Sequence, residues 1–176
     1  MNTGYFLDIV SGITHRVQAI LHSAGSGDAD KIVRLDSTGR FSQTTMPVGV
    51  TPDTQEIAAF ETLTANDLVH VFDGGGGIPS VRKADATAVN KFHCTGFVKD
   101  NFTTGQTALV YYEGRITGMV GLTPGDFMFL STIPGQSSAV PVSGDEDLSQ
   151  RIGIATDATS ISFERAEGIV LSPAEI

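Results

Sequence analysis
The sequence predicts an all-β protein: a β-barrel or β-sandwich of two pseudo-repeated four-strand units, preceded by an extended N-terminal arm that carries a short helix. Three observations carry that expectation. Twenty glycines among 176 residues, with ten phenylalanines and no tryptophan, imply many turns around a modest aromatic core. The phrase L-T-x-x-D followed by an apolar run occurs twice, as Leu63-Thr-Ala-Asn-Asp67-Leu-Val-His-Val-Phe72 and as Leu122-Thr-Pro-Gly-Asp126-Phe-Met-Phe-Leu130. Short alternating runs such as Thr107-Ala-Leu-Val-Tyr111 and Thr159-Ser-Ile-Ser-Phe163 have the period of strands with one covered face.

The composition divides near Pro47 to Pro52, giving an arm over residues 1–50 and a β-domain over 51–176. In the arm, Val10, Ile13, Val17, Ile20 and Leu21 recur at helical spacing and predict a short helix, although Gly12 and the β-branched residues oppose it. Ser23 to Asp28 reads as a turn, Lys31 to Leu35 as a brief extended piece, and Asp36-Ser-Thr-Gly-Arg40 as a turn leading to Phe41 and Met46. So little apolar material among so many breakers is expected to need support from another surface.

In the β-domain the two copies span about residues 63–120 and 122–171. In the second, Pro124 presets φ for a turn, Gly125 supplies positive φ and Asp126 closes it, before Phe127 to Thr132 runs as a strand broken by Pro134-Gly135. Further along, Gly96-Phe-Val-Lys-Asp100 answers Gly153-Ile-Ala-Thr-Asp157, and Thr107 to Tyr111 answers Thr159 to Phe163. Each copy has an apolar side to cover, by packing face to face or by closing into a barrel. The expected core is Leu68, Val71, Phe97, Leu109, Tyr111, Phe127, Phe129, Ile152, Ile154, Ile161 and Phe163.

Charge and cysteine usage narrow the function. Eleven Lys and Arg against 20 Asp and Glu give a net charge of −9, which repels a phosphate backbone, so no nucleic-acid partner is expected. No apolar run approaches the ~20 residues of a membrane span, and no signal-peptide pattern opens the chain, so no membrane partner and a cytoplasmic site of synthesis are expected. The one cysteine, Cys94, reads as a small buried apolar residue.

Catalytic patterns are missing at the level of motif. His15, His22, His70 and His93 include no pair at metal-ligand spacing. Asp73-Gly-Gly-Gly-Gly77 lacks the Lys-Ser/Thr and helix of a phosphate loop and reads as a wide hairpin turn. Gly144-Asp-Glu-Asp147 lacks the alternating ligands of a calcium loop. Cys94 and His93 are adjacent, where strand residues point apart. The expectation is a non-enzyme without cofactor or metal.

The phrases Ala29-Asp-Lys-Ile-Val-Arg-Leu-Asp-Ser-Thr-Gly-Arg-Phe-Ser-Gln-Thr-Thr-Met-Pro47, Leu122 to Ser131, Gln150-Arg-Ile-Gly-Ile-Ala155 and Ile161-Ser-Phe-Glu164 resemble small structural proteins of tailed bacteriophages, the capsid decoration, cement or head-stabilising proteins. Tail-fibre segments share the L-D-x-x-G-[RK] piece. The resemblance implies a virion protein on the capsid exterior, made in the host cytoplasm, that binds major capsid protein as a homo-oligomer, with a trimer favoured, and reinforces the shell. Val10, Ile13, Val17, Ile20, Leu21, Phe41 and Met46 then either dock the arm onto capsid or sister subunits, or cap the open end of their own barrel. The alternative is a tail-associated receptor-binding module, for which exposed aromatics at Tyr5, Phe92 and Phe102 are expected. An enzymatic or small-ligand barrel would need a deep pocket with convergent polar groups.

Overall fold
In a computed structural model the protein is described over residues 5–10, 13–29, 31–37, 39–42, 45–46 and 53–172. These residues form strands and short 3-10 turns, with no α-helix among them. The chain forms two compact units, Met1–Thr51 and Pro52–Ile176.

The first unit corrects the expected helix. The described residues between 8 and 21 do not wind into one; instead β1 (Tyr5–Val10) and β2 (Ile13–Gln18) pair antiparallel, from Tyr5 opposite Gln18 to Val10 opposite Ile13. Ile9, Val10, Ile13, Thr14 and Val17 are β-branched, and their χ1 stiffness favours a pleated ribbon over a helix. After β2, Ile20 forms a parallel bridge to Val33, with Ile20 N–H donating to Ile32 O at 3.0 Å and Arg34 N–H to Ile20 O at 2.9 Å. The Asp36–Arg40 turn forms as expected, closed by Asp36 N–H donating to Arg40 O at 2.8 Å, with Gly39 at φ +78°.

The second unit is all β and contains the repeat. Five strands, β3 (Thr54–Ala59), β4 (Leu68–Asp73), β5 (Pro79–Lys83), β6 (Gly96–Val98) and β7 (Thr107–Tyr111), close a barrel in the order β3-β5-β4-β6-β7. Then come β8 (Gly114–Thr117), β9 (Phe127–Leu130), β10 (Ser137–Ser138), β11 (Leu148–Ser149), β12 (Arg151–Asp157), β13 (Ser160–Phe163) and β14 (Ile169–Val170). Of these, five form a sheet in the order β10-β9-β12-β13-β8, and β11 pairs with β14. Walked from β5, the barrel reads β5-β4-β6-β7-β3, so each strand has a counterpart in the sheet. The repeat therefore extends the expected four strands by a leading fifth, β3 in one copy and β8 in the other.

The repeated turn explains why the copies fold alike. Asp67 N–H donates to Thr64 O at 2.9 Å, and Asp126 N–H to Thr123 O at 3.1 Å. The third residue has positive φ in both, Asn66 at 75° and Gly125 at 95°. The turn then grips an equivalent strand: Asn66 N–H donates to Val98 O and Val98 N–H to Asp67 O, while Gly125 N–H donates to Ala155 O and Ala155 N–H to Asp126 O. The Asp73–Gly77 run is the expected hairpin turn, held by Gly75 and Gly77 N–H donating to Asp73 Oδ1 at 2.8 and 3.0 Å.

Two apolar layers result. Ile57, Leu63, Val69, Val81, Val98, Ala108 and Val110 form one core cluster, and Leu68, Phe97 and Tyr111 form another with Ile116, Met128, Leu130, Leu148, Ile152, Ile161 and Phe163. Alternate barrel residues thus serve separate layers, one within the barrel and one shared with the sheet. Of the expected core, Val71 and Leu109 pack while half-buried, whereas Phe127 is 49% exposed and Phe129 and Ile154 are half-buried. The face of β9 slips by one, because Met128 and Leu130 fill the core, and a register shift between Arg151 and Gly153 puts Ile152 and Gly153 inside together. The Arg151 guanidinium sits 5.2 Å from the centre of the Phe127 ring.

Backbone and side chains bind the copies together. Leu68 N–H donates to Gly135 O and Gly135 N–H to Ala84 O, both at 2.8 Å, so the Pro134-Gly135 turn of the second copy plugs into the first. Beside it Asp67, 1% exposed, accepts from Thr64 N–H at 2.7 Å and pairs with Lys83 Nζ at 3.0 Å. A Cβ on Gly135 would stand 2.6 Å from Asp67 Oδ1, so only glycine fits this plug.

Two stability measurements check the packing. A Cβ at Gly96 would lie 2.6 Å from Tyr111 O. Gly96→Ala is therefore expected to cost about 1–3 kcal/mol through overpacking, read from chemical denaturation. Lys83→Met leaves the Asp67 carboxylate buried without its cation and is expected to cost about 3 kcal/mol in the same assay.

Candidate docking surface
The N-terminal unit presents apolar side chains without a cover. Ile13, Thr14, His15 and Arg16 are all exposed in β2. Successive strand residues point to opposite faces, so neither face of this part of the ribbon is covered. Leu7 is 73% exposed and Ile13 63%. Beyond the ribbon, Phe41 is 55% exposed, and Ile32 and Leu35 are exposed as well.

Hydrogen bonds hold this surface in shape. Asp28 ends a 3-10 turn, Ser26–Asp28, and accepts from Ala24 N–H at 2.7 Å and Lys31 Nζ at 2.6 Å. The Ala24 amide, then Lys31, holds its carboxyl below the usual carboxylate range. His22 Nδ1 lies 2.9 Å from Ser42 Oγ, bringing the residue after Phe41 alongside those after β2. Ile20, Val33 and Met46 line a small cavity of about 290 Å³ with Asp28 and Lys31 at its rim.

The sequence-predicted contact residues are therefore not one helical stripe. Ile20 and Met46 share the cavity, Leu21 is half-buried beside it in sequence, and Ile13 and Phe41 are exposed. Val10 lies on β1 and Val17 on β2, with side chains outside the described residues. Leu7, Ile32 and Leu35 were not among the expected contacts. Ile32 and Leu35 fall in a short apolar run, Ile32-Val-Arg-Leu35, which is the sequence signal that could have marked them.

Two of the three aromatics expected for a receptor-binding module are not presented. Phe92 is 6% exposed and Phe102 packs half-buried against the barrel cluster; the Tyr5 side chain lies outside the described residues. An aromatic group that the sequence reading missed does reach the surface. Phe60 is 56% exposed and meets Phe72 edge to face at 5.3 Å, while the Arg82 guanidinium lies 3.9 Å from the Phe72 centre. His70 stacks on Phe72 at 6.2 Å, and burial lowers its pKa.

Cys94 is held in the shared core. Its N–H donates to Gln150 Oε1 at 2.7 Å, Gln150 Nε2 donates back to Cys94 O at 3.2 Å, and the thiol donates to Gly96 O at 3.3 Å. Burial pushes the thiol pKa up to about 12 from an ordinary 9.0. Among the described residues, no three His, Cys, Asp or Glu side chains are placed to hold a metal ion, and no helix is long and apolar enough to cross a membrane. Compared with protein-family models, curated proteins and solved structures, the chain matches none.

The Cys94 environment makes a pH prediction. Below the unfolded value of 9.0 the thiol is neutral in both states and its contribution is whole; as pH rises from 9.0 towards about 12, only the unfolded chain ionises. The denaturation midpoint should therefore fall over that alkaline window, and a Cys94→Ala variant should lose that component of the fall. The native thiol should resist iodoacetamide near pH ~9 and react once the chain is denatured.

Proposed function
We propose that this protein is a structural component of a tailed-phage virion that decorates the capsid exterior and stabilises the shell by binding major capsid protein. The observation that carries the reading is the exposure of Leu7 and Ile13 on the ribbon and of Phe41 beyond it, all in the N-terminal unit. Apolar side chains left in water at such density mark an interaction surface, and ordering them against a partner returns the hydrophobic free energy. The resemblance of the Ala29–Pro47 phrase to capsid decoration proteins supports the same partner. A net charge of −9 suits a surface remote from packaged nucleic acid. Many copies on one shell turn modest single contacts into firm attachment, without any turnover chemistry.

A tail-associated receptor-binding module is the second reading. The exposed Phe60 against Phe72, close in sequence to the glycine turn at Asp73–Gly77, is the feature that favours it.

The test is binding of the purified chain to phage heads lacking it, with immunogold labelling of whole virions. Label spread over heads is expected, and removal of residues 1–46 should weaken head binding by about tenfold or more, equivalent to ~1.4 kcal/mol. Label confined to the tail tip sinks the decoration reading, and unchanged binding after the deletion sinks the ribbon's role.

A further inference from the structure
The turn aspartate holds an ammonium in one copy of the repeat and not in the other. In the first copy, Asp67 of the L-T-x-x-D turn pairs with Lys83 Nζ at 3.0 Å, and Lys83 lies on β5 opposite Val69, two residues after that aspartate. In the second copy the turn supplies Asp126, and Met128 takes the place of Val69. The antiparallel pairing of β10 with β9 sets Ser138 opposite Phe129, so the next residue, Ala139, falls opposite Met128 where the first copy has Lys83. A methyl group thus stands where the first copy extends an alkyl chain and its ammonium. Among the described residues Asp126 has no ion-pair partner.

A cleft of about 530 Å³ occupies that position, lined by Asp126, Met128 and Ala139 together with Asn66, Thr123, Ser137 and others. Its lining joins two chemistries. Met128 and Leu122 offer an apolar wall, whereas Asp126, Thr123 and Ser137 offer oxygen acceptors. Asn66 donates through Nδ2 to Thr117 O at 2.8 Å, which leaves its Oδ1 as a further acceptor. Ser137 Oγ is buried without a hydrogen-bond partner, a deficit that a donor would relieve. Asp126 is the one charged side chain in the lining. An aliphatic stem with a cationic, donor-only head meets these demands; a neutral ligand would leave the carboxylate unpaired, and an anion would be repelled.

The chain's own lysines are engaged elsewhere: Lys31 with Asp28, Lys83 with Asp67, Lys91 with Glu61, and Lys99 over the Tyr111 ring at 4.2 Å. The same holds in any second copy, so no lysine of this protein is left to supply the ammonium. A net charge of −9 favours the approach of a cation from outside. We propose that the cleft beside Asp126 binds a primary alkylammonium group with a stem of about lysine's length, the ammonium on the Asp126 carboxylate and the stem along Met128. The group is borne by a small aliphatic amine or by a lysine side chain of another protein. This binding is independent of where on a particle the protein sits.

Titration of the heavy-nitrogen-labelled full-length chain with n-butylammonium chloride, followed by amide NMR against a sodium chloride control, tests it. Saturable shifts centred on the amides of residues 123–128 and 136–139 are expected. The uncharged n-butanol should bind at least about tenfold more weakly. Asp126→Asn should weaken butylammonium binding by at least about tenfold, and Ala139→Lys, which gives the second copy the lysine of the first, should abolish it by filling the cleft from within. The amide spectrum reports the folding of each variant; if one misfolds, the other decides together with the butanol comparison. Nα-acetyl-lysine methylamide and putrescine separate the two sources, tighter binding of the former pointing to a partner's lysine and of the latter to a free amine. The absence of saturable shifts with butylammonium, equal binding of butanol, or undiminished binding to either folded variant overturns the proposal.

Discussion
The barrel wall is apolar on both sides, and the remaining architecture of the β-body follows from that. Along β4, β6 and β7 neighbouring residues belong to opposite layers: Leu68 and Val69, Phe97 and Val98, Tyr111 and Val110. Closure conceals Val69, Val98 and Val110. It leaves Phe97 and Tyr111 outside, where water contact would cost about 2–3 kcal/mol for each ring. The second sheet meets that demand, with the Phe163 ring 5.2 Å from that of Phe97. Because its apolar side is already committed to the barrel, the second copy gains less from curling upon itself. One topology therefore appears once closed and once open.

Polar groups along this contact fix how the copies meet. Gln150, 2% exposed, spans Cys94 N, Cys94 O and Ala166 O. Leu148 N–H donates to Ala86 O, and Ala86 N–H to Ser131 O. Apolar packing is non-directional, whereas buried amides tolerate few arrangements, so these bonds choose one docking among the many that would hide the same area. The N-terminal ribbon differs in that Leu7 and Ile13, among its described side chains, stay exposed.

What could be read from the chain depended on whether a signal was local. The L-T-x-x-D turns were legible because a turn is specified within four residues, and the same bonds recur at Asp67 and Asp126. The face of β9 was not, since Phe-Met-Phe-Leu is apolar at every position and only the partner sheet selects Met128 and Leu130. The leading strands β3 and β8 were missed because Thr-Gln-Glu-Ile-Ala-Ala and Gly-Arg-Ile-Thr are largely polar and become strands by pairing. In the ribbon, a spacing of three and four competed with a high β-branched content, and the latter prevailed. The exposed residues Leu7 and Ile13 were legible as apolar but not as uncovered, a property only the three-dimensional arrangement reveals.

Two like halves on one polypeptide also carry a hazard during folding, because a strand can seek its counterpart's neighbours. The aspartates of the twin turns guard against it. Asp67 is enclosed with Lys83 beside it and a glycine pressed against it, whereas Asp126 is exposed. Exchanging the halves would bury a carboxylate with no ammonium at hand, or strand an ammonium in place of its mate. The asymmetry of one buried charge thus acts as a proof-reading device, letting duplicated segments tell themselves apart.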